Sequence, residues 1–207
     1  MSTRVERRER GSTMIEFVWV SSVFLIPLLI GTFTYGFALI RAMQAVQFTR
    51  DAGHMYSRGV DFSVQTNQNL LASSLAQGLN FVANAGNVTG GSTGNGVAVF
   101  STMTYLTAAT CNNCNNAGHV VVMNRIVVGN NTTFTTQYGN PTSSLILANG
   151  DVQNYTTDPS AQADSFTNLI TLTPGEIAYL TESYVTAPDL AVPGVYNGLA
   201  IYQNAIF

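Results

Sequence analysis

Residues 17–40 carry no charged side chain. As a helix this run would be about 36 Å long, enough to cross a hydrocarbon core of about 30 Å. Such a segment has to be buried in lipid or against other apolar helices, and this constrains everything built around it. One acid, Glu16, stands at its head. Ahead of it, Arg4, Arg7, Arg8 and Arg10 outnumber Glu6 and Glu9 and make residues 1–11 net positive. An isolated carboxylate in a membrane segment costs on the order of 2.5–3.5 kcal/mol at the bilayer centre and less near its edge. A partner cation offsets that cost. If the chain is cut after Gly11, the new α-amino group of Ser12 is such a cation. The competing reading is that Glu16 snorkels to the headgroups.

The arginines before the run and the acidic chain after it predict a cytoplasmic N-terminus and an exported C-terminal part. A cleaved secretory signal fits poorly, because its apolar core is usually about 7–15 residues. An uncleaved signal-anchor explains the arginines and the apolar run without using Glu16. Pro27, Gly31 and Gly36 interrupt the helix. Membrane helices tolerate them, and the two glycines would let a second helix approach closely.

The 207 residues allow one membrane segment and one further domain of ordinary size. Charged residues are only 9% of the chain and Lys is absent, so Asn, Thr, Ser and Gly supply the polar surface. A surface of that kind suits an exported protein that packs against copies of itself, since repulsion between copies is small. It does not suit nucleic acid, which requires clustered Lys and Arg.

The stretch Arg10-Gly11-Ser12-Thr13-Met14-Ile15-Glu16-Phe17 resembles the processing site of type IV prepilins and pseudopilins. The longer stretch to Arg58 resembles the TadE-like subgroup, the minor pseudopilins of tight-adherence pilus systems. The positions that carry the resemblance are Arg10, Gly11, Glu16, Phe17, Pro27, Gly36, Arg50, Ala52 and Arg58. Gly175-Glu176 and Thr181-Glu182-Ser183-Tyr184 resemble a strand found near the C-terminus of some members. Ile15 stands where Val is common, and Pro27 lies farther from Glu16 than is usual. The resemblance implies that a prepilin peptidase cuts between Gly11 and Ser12. It implies that Glu16 then meets the Ser12 amine of its own or a neighbouring subunit. The implied partners are other pilin subunits and the assembly machinery of the bacterial inner membrane. The exported part would lie first in the periplasm and then on an extracellular filament.

Residues 42, 45, 46 and 49 continue the helix as a polar stalk with one apolar face, to about Arg58, with Gly59 as its stop. Leu71, Leu75 and Leu79 predict a second helix over residues 66–79. Residues 84–96 read as a loop. Strands are predicted over residues 97–106, 119–128, 133–138, 143–148, 152–156, 177–186 and 199–207. Asn149-Gly150-Asp151 is a hairpin turn signal. The expected fold is α+β, a pilin-like lollipop. Its parts are a basic leader (1–11), an apolar helix with its stalk (12–60) and a β-rich exported domain (61–207).

Cys111 and Cys114 are the only cysteines. Their spacing fits a redox centre, half a metal site or a local disulfide. No thioredoxin-like context surrounds them, and His54 and His119 are too few and too scattered to complete a zinc site. A disulfide in an oxidising compartment is therefore the expectation. His119 reads as a surface or satisfied histidine. Glu176 and Glu182 would share a strand face, as an acidic pair for a cation, as a solvated face or as partners of Arg125. Asp151, Asp158 and Asp164 scatter in loops without an EF-hand pattern. No catalytic, cofactor-binding or metal motif stands out, so the chain is expected to be a structural subunit rather than an enzyme. The alternative is an uncleaved single-pass envelope protein with a periplasmic binding domain.

Overall fold

The computed structural model describes residues 6–111, 114–132, 134–191 and 198–207, with backbone alone for 6–12. The chain divides into two compact units, Met1–Ile40 and Arg41–Phe207.

The first unit is helical. Helix α1 (Glu6–Val20) passes through a five-residue π-turn, Ser21–Leu25, into α2 (Ile26–Ser57). In the π-turn the Ile26 N–H donates to the Ser21 carbonyl. Pro27 accounts for its position. A proline has no N–H to donate, and its ring clashes with the carbonyl four residues back, so the ladder is reset just ahead of it. Ser22, Thr32 and Thr34 donate their hydroxyls to the carbonyls of Val18, Leu28 and Ile30 at 2.8–2.9 Å. These three hydroxyls are thereby satisfied within the helix itself. Thr13–Ser57 is one helix long and apolar enough to cross a membrane.

In the second unit, residues 41–57 of α2 cover one face of a sheet. Ala45, Phe48, Thr49, Ala52, Gly53 and Tyr56 repeat at three- and four-residue spacing and are buried. Helix α3 (Gln65–Leu70) and a second π-turn, Leu71–Leu75, occupy most of the predicted 66–79 helix. Five strands follow: β1 (Thr89–Gly91), β2 (Gly96–Tyr105), β3 (Val120–Asn130), β4 (Ile177–Ala187) and β5 (Leu199–Ile206). Their spatial order is β1-β3-β2-β4-β5. β1 is parallel to β3 and the other pairs are antiparallel.

Both faces of the sheet are covered. On one, Ala98, Phe100, Ile126, Val128 and Val185 pack with Phe48, Phe62 and Leu71. On the other, Met103, Val122 and Leu180 pack with Tyr138, Phe166 and Leu172 of the long β3–β4 connection. The helix can lie close to β4 because the facing residues are small. Thr49 Oγ1 is 2.5 Å from Ser183 Oγ. A Cβ on Gly53 would meet the Phe207 ring at 2.2 Å and Thr181 Oγ1 at 3.0 Å.

Four predicted elements differ. Residues 134–138 form no strand, and Thr133 lies outside the described residues. Their side chains and backbone instead satisfy charges on the sheet. Residues 143–145 form a 3-10 turn, and the 143–148 and 152–156 strands shrink to a single bridge, Ile146 to Val152, around the Asn149-Gly150-Asp151 turn. Conversely, the predicted loop 84–96 contains β1. It is drawn onto β3 by Asn84, whose side chain donates to Val127 O at 3.0 Å and accepts from Gly129 N–H at 3.1 Å.

Candidate functional site

In the first unit, the backbone of Gly11 and Ser12 lies inside α1. The Ser12 side chain, and with it the Ser12–Glu16 pairing, lies outside the described residues. Glu16 is exposed one helical turn on, about 6 Å along the axis from Ser12. From there the large apolar side chains point outward all round the helix. Phe17, Phe24 and Leu28 are each about 70% exposed. Fully burying such a side chain is worth about 1.5–3 kcal/mol, so this surface is unfavourable in water and matched to lipid or to other helices. Gly31 and Gly36 have open space where a Cβ would stand.

In the second unit, the sequence signals do not converge on one site. Cys111 and Cys114 lie at disulfide distance, Cα atoms 5.8 Å apart, in the β2–β3 connection. His119 Nδ1 pairs with Asp164 Oδ2 at 2.8 Å, while His54 packs on the Phe207 ring at 4.5 Å. Among the described residues, no three of His, Cys, Asp and Glu gather as a metal site would require. The Ser160 hydroxyl and, after it, the Ser160 N–H hold the Asp158 carboxyl below its ordinary value.

Glu176 and Glu182 form neither an acidic pair nor a shared solvated face; of the expected alternatives, Glu182 neighbours Arg125 through its charge, without a direct ion pair among the described residues. Glu176 lies just ahead of β4, exposed, and accepts from Thr173 N–H at 2.8 Å, which lowers its pKa. Glu182 is fully buried. It accepts hydrogen bonds from Thr136 Oγ1, Gln137 N–H and Tyr202 Oη. Across β2, buried Arg125 donates to the carbonyls of Tyr138 at 2.8 Å and Gly139 at 3.1 Å. Burial lowers Arg125 from its ordinary 12.5 to about 10, and the Glu182 charge opposes that fall. Burial and the same carboxylate push the Tyr202 hydroxyl up.

One further feature was not read from the sequence. A cleft of about 620 Å³ opens where α2 ends, between Gly59-Val60-Asp61 and the 149–155 turn. A bulge in β3 helps to shape it: Asn124 pairs with Thr102 and Val122 with Met103, so Met123 has no partner on β2. Tyr56 Oη lies 2.8 Å from Thr102 Oγ1 and donates to Asn124 Oδ1 at 3.0 Å. Asn124 Nδ2 continues to Asp151 Oδ1 at 2.9 Å, and Asn149 Nδ2 reaches Asp151 Oδ2 at 2.6 Å. Tyr179 stands edge-on to Tyr56 at 5.6 Å.

The chain matches no protein-family model, no curated protein and no solved structure. Its class therefore rests on its own architecture: a helix long and apolar enough to cross a membrane, and a mixed five-stranded α+β unit.

Proposed function

We propose that this chain is a pilin-like subunit of a Tad-type type IV pilus or a related secretion filament. It is cut after Gly11 by a prepilin peptidase, held in the bacterial inner membrane by its N-terminal helix, and packed through that helix into a filament. The second unit is exported and faces outward, serving pilus assembly or adhesion. The observation that carries this reading is the juxtaposition at the helix head. A lone carboxylate, Glu16, stands one turn beyond an Arg-Gly-Ser sequence and opens a run whose apolar side chains are exposed on every side. A buried carboxylate needs a partner cation, and a freed Ser12 amine, four residues back, would be one. Gly11 suits a cleavage position, since it has no side chain to keep a protease from the backbone. Open space at Gly31 and Gly36 supports close packing by a neighbouring helix. A cysteine pair at disulfide distance supports export to an oxidising compartment.

The test is Glu16→Ala in the producing cell. Membrane insertion should remain intact while incorporation into shed filaments falls sharply. Unchanged incorporation would remove the charge pairing. It would favour the alternative, an uncleaved anchor bearing a periplasmic binding domain, for which loss of Glu16 is neutral or slightly favours insertion.

A further inference from the structure

We infer that the cleft at the end of α2 binds a neutral carbohydrate. The site lies wholly in the second unit and stands independently of how the helix is processed or assembled. Its volume, about 620 Å³, falls in the range of small-molecule sites, roughly 300–1,000 Å³.

The lining decides the ligand's chemistry. It contains no Arg, Lys or His, and it contains two carboxylates, Asp61 and Asp151. Anions such as phosphates and acidic peptides are therefore repelled. The unused hydrogen-bonding capacity is mainly acceptor. Asp61 Oδ1 accepts from Ser63 N–H at 2.8 Å, and Oδ2 has no hydrogen bond among the described residues. Each Asp151 oxygen accepts one amide donor and retains a lone pair. A ligand rich in hydroxyl donors satisfies these acceptors, and hydrogen bonds to charged groups are the stronger kind.

The rest of the lining mixes the polar Thr102, Asn124 and Asn149 with aromatic and aliphatic side chains. Tyr155 and Tyr179 are half-buried, and their hydroxyls have no hydrogen bond among the described residues. Val60, Met123, Ile126 and Val152 line the same cleft. Aromatic and aliphatic faces beside acceptors match the two sides of a pyranose ring, its C–H face and its hydroxyl rim. The surface is also preorganised. Tyr56 is held by Thr102 and Asn124, Tyr179 is fixed against Tyr56, and the Gly150 carbonyl accepts from Arg125 N–H at 2.7 Å. Little ordering is left for the ligand to impose. An organic ammonium would also be drawn to the carboxylates. The amide donors that occupy one lone pair on each Asp151 oxygen, and the tyrosine and aliphatic side chains of the lining, favour a ring with hydroxyls over a point charge.

The test is saturation-transfer NMR on the full chain in a polyoxyethylene alkyl ether detergent, whose head is neither a sugar nor an amine. The probes are cellobiose, lactose, N,N′-diacetylchitobiose and methyl mannoside, with choline and spermidine alongside. The expected result is transfer to the ring C–H protons of at least one saccharide, with affinity reduced roughly tenfold in Tyr155→Ala and in Asp61→Asn. Asp61→Asn changes an exposed loop carboxylate, so it reads the site even if Tyr155→Ala disturbs the fold. The inference is overturned if no saccharide receives transfer, if neither variant weakens it, or if only choline or spermidine binds.

Discussion

Arg125 and Glu182 stand on the same face of the sheet, on either side of β2, and hold one short chain segment between them. Glu182 takes Thr136 and Gln137, and Arg125 takes the carbonyls of Tyr138 and Gly139. The two charges thus fasten the start of the β3–β4 connection over the sheet. Removing either partner leaves the other charge buried. Arg125→Ala and Glu182→Ala should each cost about 3–5 kcal/mol, while the Arg125→Ala, Glu182→Ala double variant should cost less than the two single losses together. Urea unfolding of the three variants measures this, and strict additivity would contradict it.

Tyr56 gives the fold an alkaline limit. Its hydroxyl is pushed from 10 up to about 12, by burial outweighing its hydrogen bond with Thr102. The folded chain therefore binds this proton more tightly than the unfolded chain. The resulting stability is fully present below pH 10 and is lost as pH rises through about 12. Tyr56→Phe should flatten the fall in stability across that window. Near neutral pH it should cost about 1 kcal/mol through the lost hydrogen bonds. Equal slopes for the two proteins would refute this role.

Gly129 is held by its backbone. Its φ is +99°, and a Cβ there would lie 2.2 Å from the Gly96 carbonyl oxygen. Neither obstacle is the end of a flexible side chain. Gly129→Ala should destabilise by more than about 2 kcal/mol, seen as a lower thermal midpoint, whereas Gly118→Ala, with open space around it, has only its φ of +91° to strain it and should cost less.

The Cys111–Cys114 pair closes a very short loop. In the chain-entropy account such a loop contributes about 2 kcal/mol. Replacing both cysteines by Ser should lower the unfolding free energy from urea titration by that modest amount and leave the fold intact. Loss of folding would mean that the pair does more than close its own turn.

The parts of the fold legible in sequence were those whose apolar residues pack by class. The β-branched runs at β2, β3, β4 and β5 and the buried stripe of α2 are of this kind. β1 was not legible, because Thr89-Gly90-Gly91 pairs through backbone alone and is positioned by Asn84 and by buried Gln68, which binds four backbone groups around it. Glu182 was not legible either. β4 is buried on both faces, with Thr181 and Ser183 under α2, and two-sided burial erases the alternation that marks an inward position. The cleft depends on residues about a hundred positions apart, joined only when the 149–155 turn folds back along β3 beside the end of α2. In the first unit the long apolar helix was legible, since hydropathy acts along the chain.

On the proposed reading, residues 1–11 are a leader removed before assembly. The direct measurement is the intact mass and N-terminal residue of the protein recovered from its native membrane or shed filament fraction. A chain that begins at Ser12 is the predicted result. A chain that still begins at Met1 would contradict the account and leave Glu16 without the amine on which the assembly reading depends.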